Sequence, residues 1–315
     1  MTNAPLKTCD VAIVGEIYID HVFSGFTAWP APGEEVVTDA YTREVGGGAA
    51  TTACGLARLG RQVRLLGLIG EADAPWIGQR LASFGVGVGG LRVSKDRATG
   101  VTVSVSTQQD RSFFTHVGVN QTLSAMLITP EAMADMTAAR HVHFALPLER
   151  ELAGHILPQL RQAGCTTSLD VGFQPAWLGD AGNTATLAAI DHFLPNEKEA
   201  ELWCGTSDED TFFAHARALG VASPMFKQGA RGAVTEVGAT RYRALPPQVT
   251  AIDTTGAGDA FDAGFIDALL DAVGAEERLR RACIVGALST RAAGALSALP
   301  DRQDVRSSHE SVPIR

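Results

Sequence analysis

The sequence predicts an α/β fold with a mostly parallel sheet covered by helices on both faces. Strand and helix signals alternate along most of the 315 residues, and several of the strands are continuous apolar runs. Hydrophobic residues make up 45% of the chain and charged residues 19%, a composition that supplies a large core and is not typical of disorder. Because α/β folds often form one unit at this length, we expect a single domain over residues 1–315.

Local signals justify the elements of the first half. Gly60 and Gly85 end two helices, because glycine adopts the left-handed conformation of helix ends at little cost. Asp73 is a helix cap, and Pro130 occupies a first helical position, where its missing N–H breaks no hydrogen bond. The predicted elements are a strand at 10–15, a helix at 48–59, a strand at 63–69, a helix at 73–84, a helix from 129, a strand at 141–145 and a helix at 149–163.

The second half continues the alternation and ends on two long helices. Ser207 is predicted to cap a helix that runs to residue 219. The tail from residue 301 is polar, and we expect it to be loosely held. The other elements are strands at 166–171, 191–194 and 224–227, a helix from 197, and helices at 257–273 and 275–293.

Two segments interrupt this pattern. Residues 35–43, and residues 100–107 with 112–117, alternate apolar and polar side chains and are separated by turn residues at 108–111. They predict antiparallel strands in a small sheet outside the main one. A small sheet of this kind, drawn from about 16–45 and 95–118, would serve as a lid or as a dimer surface.

Composition excludes several classes of protein. The net charge of -9 argues against a nucleic-acid partner, and the five cysteines form no Cys-x-x-Cys pair, which argues against a zinc site or a disulfide framework. No signal-peptide pattern and no apolar run of about 20 residues is present, so we expect a cytoplasmic protein without a membrane partner. His141 and His143 are interpreted as core or surface histidines on opposite faces of a strand, and not as metal ligands.

The most informative stretch is residues 253–265, Asp-Thr-Thr-Gly-Ala-Gly-Asp-Ala-Phe-Asp-Ala-Gly-Phe. Gly256, Ala257 and Gly258 form a turn where the backbone can approach a ligand, at a helix N-terminus that attracts phosphate. Asp259 in the first turn can accept a proton from an attacking hydroxyl. This combination indicates phosphoryl transfer to an alcohol, whereas a simple glycine turn with Asp259 as a helix cap is the alternative.

Polar residues also follow several predicted strands, at the sheet edge where open α/β folds bind ligands. A glycine run, Gly46 to Gly48, precedes a helix on the same side. The residues are Asp20, Asp170, Asn196, Glu199 and Lys227. Together they predict one concave polar site.

At this point the chain resembles a known family. Gly46-Gly47-Gly48-Ala49-Ala50 and residues 253–261 are similar to the two signatures of the ribokinase-like, phosphofructokinase B-type carbohydrate kinases. Residues 195–200 and 227–232 resemble the family's intermediate motifs in the same order, so the resemblance covers about residues 9–300. It implies a three-layer α/β/α ribokinase-like fold with a mostly parallel central sheet and a small antiparallel β-sheet lid.

The resemblance also implies ATP-dependent phosphorylation of a sugar or nucleoside hydroxyl with Mg²⁺. Asp259 matches the catalytic base, and Gly256, Ala257 and Gly258 match the donors that hold the transferring phosphoryl group. The nucleotide-side matches are Asn196, Glu199 (near Mg²⁺, through water), Lys227, Gly229, Gly232 and Thr254. The sugar-side matches are Asp20, Gly46, Gly47, Gly48 and Thr51, together with Asp259. Asp253 and Thr255, with a loop near Gly294, match a monovalent-cation site for K⁺.

The acceptor side departs from the family pattern. Thr51 stands where an asparagine is usual, Gly172 and Gln174 stand where asparagine and arginine are common, and Tyr18 replaces a polar sugar-binding residue. Our first hypothesis is a kinase for a neutral sugar. The alternatives are a nucleoside kinase, in which Tyr18 or the aromatic residues at 113 and 114 stack on a base, and a catalytically inactive sugar- or nucleotide-binding regulatory protein. The family likeness also implies a homodimer through the lid strands.

Overall fold

A computed structural model describes residues 7–108 and 111–311. The described residues form thirteen strands and twelve α-helices. The strands are β1 (Cys9–Gly15), β2 (Tyr18–Phe26), β3 (Tyr41–Gly46), β4 (Val63–Gly70), β5 (Leu91–Ser94), β6 (Gly100–Thr107), β7 (Arg111–His116), β8 (Ala139–Ala145), β9 (Thr166–Asp170), β10 (His192–Phe193), β11 (Met225–Lys227), β12 (Ala233–Val237) and β13 (Thr240–Ala244). The helices are α1 (Gly48–Arg58), α2 (Ala74–Ala82), α3 (Leu123–Leu127), α4 (Pro130–Thr137), α5 (Arg150–Gln162), α6 (Pro175–Leu178), α7 (Thr184–Ala189), α8 (Glu197–Cys204), α9 (Glu209–Ala218), α10 (Ala257–Leu270), α11 (Ala275–Ser289) and α12 (Arg302–Ser311).

The central sheet has six parallel strands in the order β10-β9-β8-β1-β4-β5. Successive residues of a strand point to opposite faces, and β1 separates two cores in this way. Val11 and Ile13 pack with α1, α10 and α11, whereas Ala12 and Val14 pack with α4 and α5. All four side chains are fully buried. The predicted α/β fold with helices on both faces of a mostly parallel sheet is therefore confirmed.

The second sheet has four strands in the order β3-β2-β6-β7. β2 pairs with β6 in parallel, and the other two pairs are antiparallel. The strand predicted at 35–43 is wrong in position, because only residues from Tyr41 onward pair with β2. Val36 and Val37 precede that pairing and are exposed. The turn predicted at 108–111 lies partly outside the described residues.

A third, antiparallel sheet has the order β11-β12-β13, and the sequence reading did not predict its last two strands. Two isolated backbone bridges, Phe193 to Pro224 and Asn196 to Lys227, run in parallel and continue the central sheet into β11. The N–H of Lys227 donates to the carbonyl of Pro195 at 2.9 Å. These contacts bring the end of β11 beside the start of α8.

Four smaller expectations need correction. Asp208, and not Ser207, caps α9, because its carboxylate accepts the N–H of Thr211 at 2.9 Å. The two long helices end earlier than predicted, at Leu270 and Ser289. Within the described residues, the tail from residue 301 is not loose: residues up to 311 form α12, where Arg302 pairs with the carboxylate of Asp267 at 2.7 Å.

The placement predicted for the paired histidines is also wrong. Strand residues two apart share a face, and His141 and His143 both contact the hydroxyl of Ser168, at 2.7 and 2.8 Å. Both rings are fully buried, which agrees with a core position. Among the described residues, no helix is long and apolar enough to cross a membrane.

Candidate active site

The N-terminus of α10 lies at the carboxyl edge of the central sheet and is built on a glycine. Gly256 is the helix N-cap, with a left-handed φ of 72°. A Cβ at this position would lie 2.6 Å from the Cβ of Ala295, so only glycine fits without displacing the loop. The N–H groups of the first turn have no partners within the helix. The N–H of Ala257 donates to the carbonyl of Thr254 at 3.2 Å. A helix start of this kind carries a partial positive charge that favours anions.

Asp259 stands in this first turn, against the N-terminus of α1. Its Oδ1 lies 2.6 Å from the point that a Cβ on Gly48 would occupy. The hydroxyl of Thr52 donates to the Asp259 carbonyl at 3.2 Å, which fixes the two helices together. Burial, with the nearby Asp170 carboxylate, raises the pKa of Asp259 to about 7. A carboxylate with this pKa is suited to accept a proton near neutral pH.

The predicted acceptor side lies at the glycine run Gly46 to Gly48, which also contacts Asp259. The carboxylate of Asp20 touches Gly46, where any side chain would collide with it. Gly47 has a φ of 96° and lies against the carbonyl of Glu16. Burial and the neighbouring Glu44 raise the pKa of Asp20 to about 6. The glycine run thus contacts Asp20 of β2 at Gly46 and Asp259 of α10 at Gly48.

Thr51, a residue that departs from the family pattern, packs between the two helix starts. Its side chain is 2% exposed, and its hydroxyl donates to the carbonyl of Gly47 at 3.4 Å. Its methyl group lies 3.1 Å from the Cβ position of Gly256. Two of the other departures lie after β9: Gly172 donates its N–H to Asp170 at 2.8 Å, and Gln174 is exposed before α6.

The nucleotide side contains a cavity of about 400 Å³ beside α10. Part of its wall is apolar and comes from Val249, Phe261 and Ala287. The predicted residues that line it are Asn196, Lys227, Gly229, Gly232, Thr254, Ala257 and Gly258. An apolar pocket that ends on a helix N-terminus has the chemistry needed for a base and its phosphates.

Asn196 and Glu199 form a capping box at the start of α8. The carboxylate of Glu199 accepts the backbone N–H of Asn196 at 2.8 Å and its side-chain amide at 2.6 Å. Burial, followed by the charge of Asp170, raises the pKa of Glu199 to about 7. Each carboxylate oxygen accepts one of these hydrogen bonds and keeps a second lone pair, so a metal-bound water can donate to it while the capping box stays intact.

Lys227 is buried where β11 ends and pairs with two aspartates: Asp170, which the sequence predicts at this edge, and Asp262, which it does not. Its Nζ lies 2.5 Å from Asp170 and 3.2 Å from Asp262. A sequence signal for Asp262 exists, because residues three apart on a helix share a face and Asp259 is three positions earlier. Asp262 was not predicted as a site residue because the residues around it on α10 are mostly apolar.

The residues predicted for a monovalent cation also meet. One oxygen of Asp253 accepts the N–H of Thr255 at 3.0 Å and its hydroxyl at 2.7 Å. The other oxygen accepts the N–H of Gly294 at 2.9 Å. This loop directly precedes α10.

The chain belongs to the pfkB family of carbohydrate kinases, whose family pattern it matches over residues 9–302. It is 29% identical over 302 residues to a ribokinase from Haemophilus influenzae, covering 93% of this chain and 96% of the relative. It is 27% identical over 281 residues to a 2-dehydro-3-deoxygluconokinase from Bacillus subtilis, covering 85% of this chain and 87% of the relative. Membership in the family identifies the protein as a phosphotransferase that acts on a sugar or nucleoside hydroxyl.

Solved structures support the fold. The structure of Arabidopsis thaliana ribokinase in complex with ribose and ATP has a TM-score of 0.82 at 24% identity, covering 96% of this chain and 99% of that one. Fructokinase, deoxyribokinase and nucleoside kinases are also among the matching proteins. These comparisons give no support to the alternative of a catalytically inactive binding protein.

Proposed function

We propose that the protein transfers a phosphoryl group from ATP to a hydroxyl of a neutral sugar, with Asp259 as the base. The observation that carries this proposal is the position of the Asp259 carboxylate. It lies at an anion-binding helix start, next to the nucleotide cavity, and against the glycine loop whose other end holds Asp20. In the described part of the chain, that carboxylate has no hydrogen-bond partner.

Each group has a simple task in this reaction. Asp259 accepts the proton of the attacking hydroxyl, and Gly256, Ala257 and Gly258 present backbone donors to the transferring phosphoryl group. Phosphoryl transfer passes through a loose transition state, so positioning and charge stabilisation supply most of the catalysis. A carboxylate close to neutral pKa is sufficient as the base.

The donor side fits ATP with Mg²⁺. The cavity would hold the nucleotide through its apolar wall and through Asn196, Gly229, Gly232 and Thr254, with Lys227 near the phosphates. Bound Mg²⁺ neutralises phosphate charge. Glu199 would hold the ion through water, with both of its hydrogen bonds to Asn196 kept.

The charges on the acceptor side favour a neutral acceptor. Glu16, Asp20 and Asp259 are acidic, and the neighbouring cation, Arg80, is occupied by Glu44. Arg43 pairs with Asp73 at 3.0 Å. An anionic acceptor such as the sugar acid of the Bacillus subtilis relative would meet like charges here. Sugar hydroxyls, in contrast, can donate to all three carboxylates.

A nucleoside is the second candidate acceptor. Tyr18 starts β2 beside Asp20, and its hydroxyl donates to the Glu16 carboxylate at 2.7 Å, which orients the ring. On β7, Phe114 packs against Trp29 with ring centroids 5.9 Å apart and the ring planes tilted by 33°. Aromatic faces of this kind can stack on a nucleobase.

Three further assignments belong to this proposal. We assign K⁺ to the loop of Asp253, Thr255 and Gly294, a homodimer to the lid strands, and the cytoplasm as the compartment. Exposed Phe113 and Phe114 lie on β7, a strand at the edge of the lid sheet. Replacing K⁺ by tetramethylammonium in the assay tests the cation, sedimentation velocity tests the dimer, and cell fractionation tests the compartment.

The acceptor is tested with a panel of neutral sugars, nucleosides, sugar acids and sugar phosphates. Product formation is followed by mass spectrometry with ATP and Mg²⁺. We expect the highest kcat/KM for a neutral sugar. A preference for an acidic or phosphorylated sugar would contradict the neutral-acceptor proposal, and no phosphorylated product from any class would contradict the kinase proposal itself.

A further inference from the structure

Lys227 lies in a fork between two buried carboxylates. Its Nζ is 2.5 Å from Oδ2 of Asp170 and 3.2 Å from Oδ1 of Asp262. The three side chains are 8%, 9% and 0% exposed. Asp170 is held from its other oxygen by the N–H of Gly172 at 2.8 Å. The ammonium group is therefore fixed from two elements, β9 and α10.

A third carboxylate, that of Asp259, is within reach of the same group. Asp170, Asp259 and Asp262 each present an oxygen atom within 4.8 Å of the others. Nevertheless, no ion pair within 4 Å joins Lys227 to Asp259 in the described part of the chain. Lys227 Nζ instead lies 3.6 Å from the Cβ position of Gly258, on the wall of the nucleotide cavity.

This choice of partners matters for the base. An ammonium group in contact with a carboxylate stabilises its ionised form and lowers its pKa by about 1–3 units. If Lys227 paired with Asp259, the carboxylate would hold a proton weakly and would be a poorer base. In the structure, the ammonium group of Lys227 contacts Asp170 and Asp262 instead of Asp259.

We propose that Asp262 is a positioning residue that, with Asp170, holds Lys227 away from Asp259 and against the phosphate side of the cavity. This inference rests on the proposed function, because it takes Asp259 as the base. Asp262 acts through Lys227 and contacts neither the acceptor nor the nucleotide.

The surroundings of Asp262 agree with this role. It lies among Phe261, Ala263, Phe265 and Ile266 on α10, where an apolar side chain would pack at no desolvation cost. Its Oδ2 is buried and has no hydrogen-bond partner among the described residues. Burial raises the pKa of Asp262 well above its usual range. A neutral carboxyl still offers its carbonyl oxygen to Lys227, so the fork does not depend on a second negative charge.

The charged groups around Asp259 come from four elements. Asp170 lies on β9, Lys227 on β11, Glu199 on α8 and Asp262 on α10 itself. His143 on β8 faces Asp170 and Lys227, and its pKa is lowered to about 4 by burial, so it is neutral at the pH of the assay. Of these groups, only Lys227 is a cation that can move onto the base.

The test compares Asp262→Leu, which removes both oxygens but keeps the branched shape and the number of heavy atoms, with Asp262→Asn, which keeps one acceptor oxygen for Lys227. We expect Asp262→Leu to lower kcat by about tenfold or more and to move the acidic limb of kcat/KM at least about one pH unit lower. Asp262→Asn should recover most of the lost kcat and keep the wild-type limb. Crystal structures of the apo variants should show Lys227 Nζ on Asp259 in the leucine variant only.

The matched control is Asp267→Asn, a buried carboxylate on the same helix that pairs with Arg61 and not with Lys227. It should change the melting temperature and leave the pH profile in place. Asp262→Ala is the second apolar variant, for the case in which leucine prevents folding.

The inference is overturned if the folded apolar variant keeps the wild-type kcat and acidic limb, or loses kcat with no shift of that limb. It is also overturned if the asparagine variant is equally impaired. If the wild-type protein phosphorylates no acceptor, the proposed function fails, whereas the position of Lys227 Nζ in the two crystal structures still decides this inference.

Discussion

Asp259 shows how environment and sequence position together make a residue functional. Its place after Gly-Ala-Gly predicts an acid at a helix start, and the structure adds the burial and the Asp170 charge that raise its pKa to about 7. At this pKa, about half of the carboxylate is ionised at neutral pH, and it binds the acceptor proton strongly enough to assist its removal. An exposed aspartate would ionise near pH 3.9 and be a weaker base.

The pH dependence follows from this shift. Because Asp259 must be ionised to accept the proton, kcat/KM should rise with pH and level off above an apparent pKa of about 7. Initial rates from pH 5 to 9 at constant ionic strength measure this limb. Glu199, with a pKa also raised to about 7, adds to the same limb, so the apparent value belongs to the coupled groups.

The control for this profile is Glu199→Gln, which removes the second titrating group. It should keep a limb near neutral pH. A limb near pH 4 in both proteins would show that Asp259 is not shifted.

At the residue scale, the sequence predicts most of the polar residues that meet at the candidate site, but it does not predict Asp262. Asp20, Asn196, Glu199 and Lys227 follow strands, and strand ends can be read from apolar runs. Asp170 ends β9 and can be predicted in the same way, whereas Asp262 lies inside α10 and follows no strand. Only the folded structure brings Asp262 to Lys227.

At the element scale, the glycine run before α1 sets the spacing between base and acceptor. Gly48→Ala should lower kcat by about 100-fold, because the new Cβ would stand 2.6 Å from Asp259 Oδ1 and displace the base. The flexible carboxylate can rotate away, so the melting temperature should change little. Steady-state kinetics and thermal unfolding of the purified variant measure both effects.

The matched control is Gly78→Ala in α2. A Cβ there meets nothing within 4 Å, and alanine is the better helix former. This variant should keep its activity and gain slight stability. Equal kcat in the two variants would contradict the assigned contact between Gly48 and the base.

His143, buried on β8, gives a prediction about the pH dependence of stability. Burial lowers the pKa of His143 from 6.5 to about 4, so the unfolded chain binds a proton in this interval that the folded protein does not. The stability that this histidine contributes is complete above pH 6.5 and is lost as the pH falls toward 4. By linkage, the loss amounts to about 3 kcal/mol.

The free energy of unfolding of His143→Asn should therefore fall less between pH 7 and pH 4.5 than that of the wild type. Urea denaturation at pH 7 and pH 4.5 gives the two free energies of unfolding. His155→Asn, on the exposed side of α5, is the control and should leave the difference unchanged. The same dependence in the wild type and in His143→Asn would contradict a buried neutral imidazole.

Element predictions failed where pairing partners decide the structure. Residues 35–43 have a good alternating pattern, yet strand β3 begins only at Tyr41, where β2 offers a partner. The sequence also failed to predict β12 and β13, which are five residues long and include the charged residues Glu236, Arg241 and Arg243. Helix starts were more predictable, because Pro130 and Asn196 act on backbone groups only a few residues away in the sequence.

At the scale of the whole molecule, the site is assembled from all three sheets. The central sheet supplies Asp170, the lid sheet supplies Asp20, and the third sheet supplies Lys227. α1 and α10 bring their N-termini together at this edge, with Gly55 close to the Cβ of Ala263. The sequence predicts the edge, because parallel strands end together. The identity of the acceptor depends on the shape and charge of a site that two sheets form together, so the sequence alone does not predict it.

The central claim is that Asp259 removes the proton from the acceptor during transfer from ATP. The most direct measurement is the rate of phosphorylated-product formation by Asp259→Ala on the best acceptor of the panel, with folding and ATP binding checked by thermal unfolding and calorimetry. We predict that the rate falls by about 10²–10⁴-fold while the variant remains folded and binds ATP. A folded variant with wild-type turnover would contradict the claim.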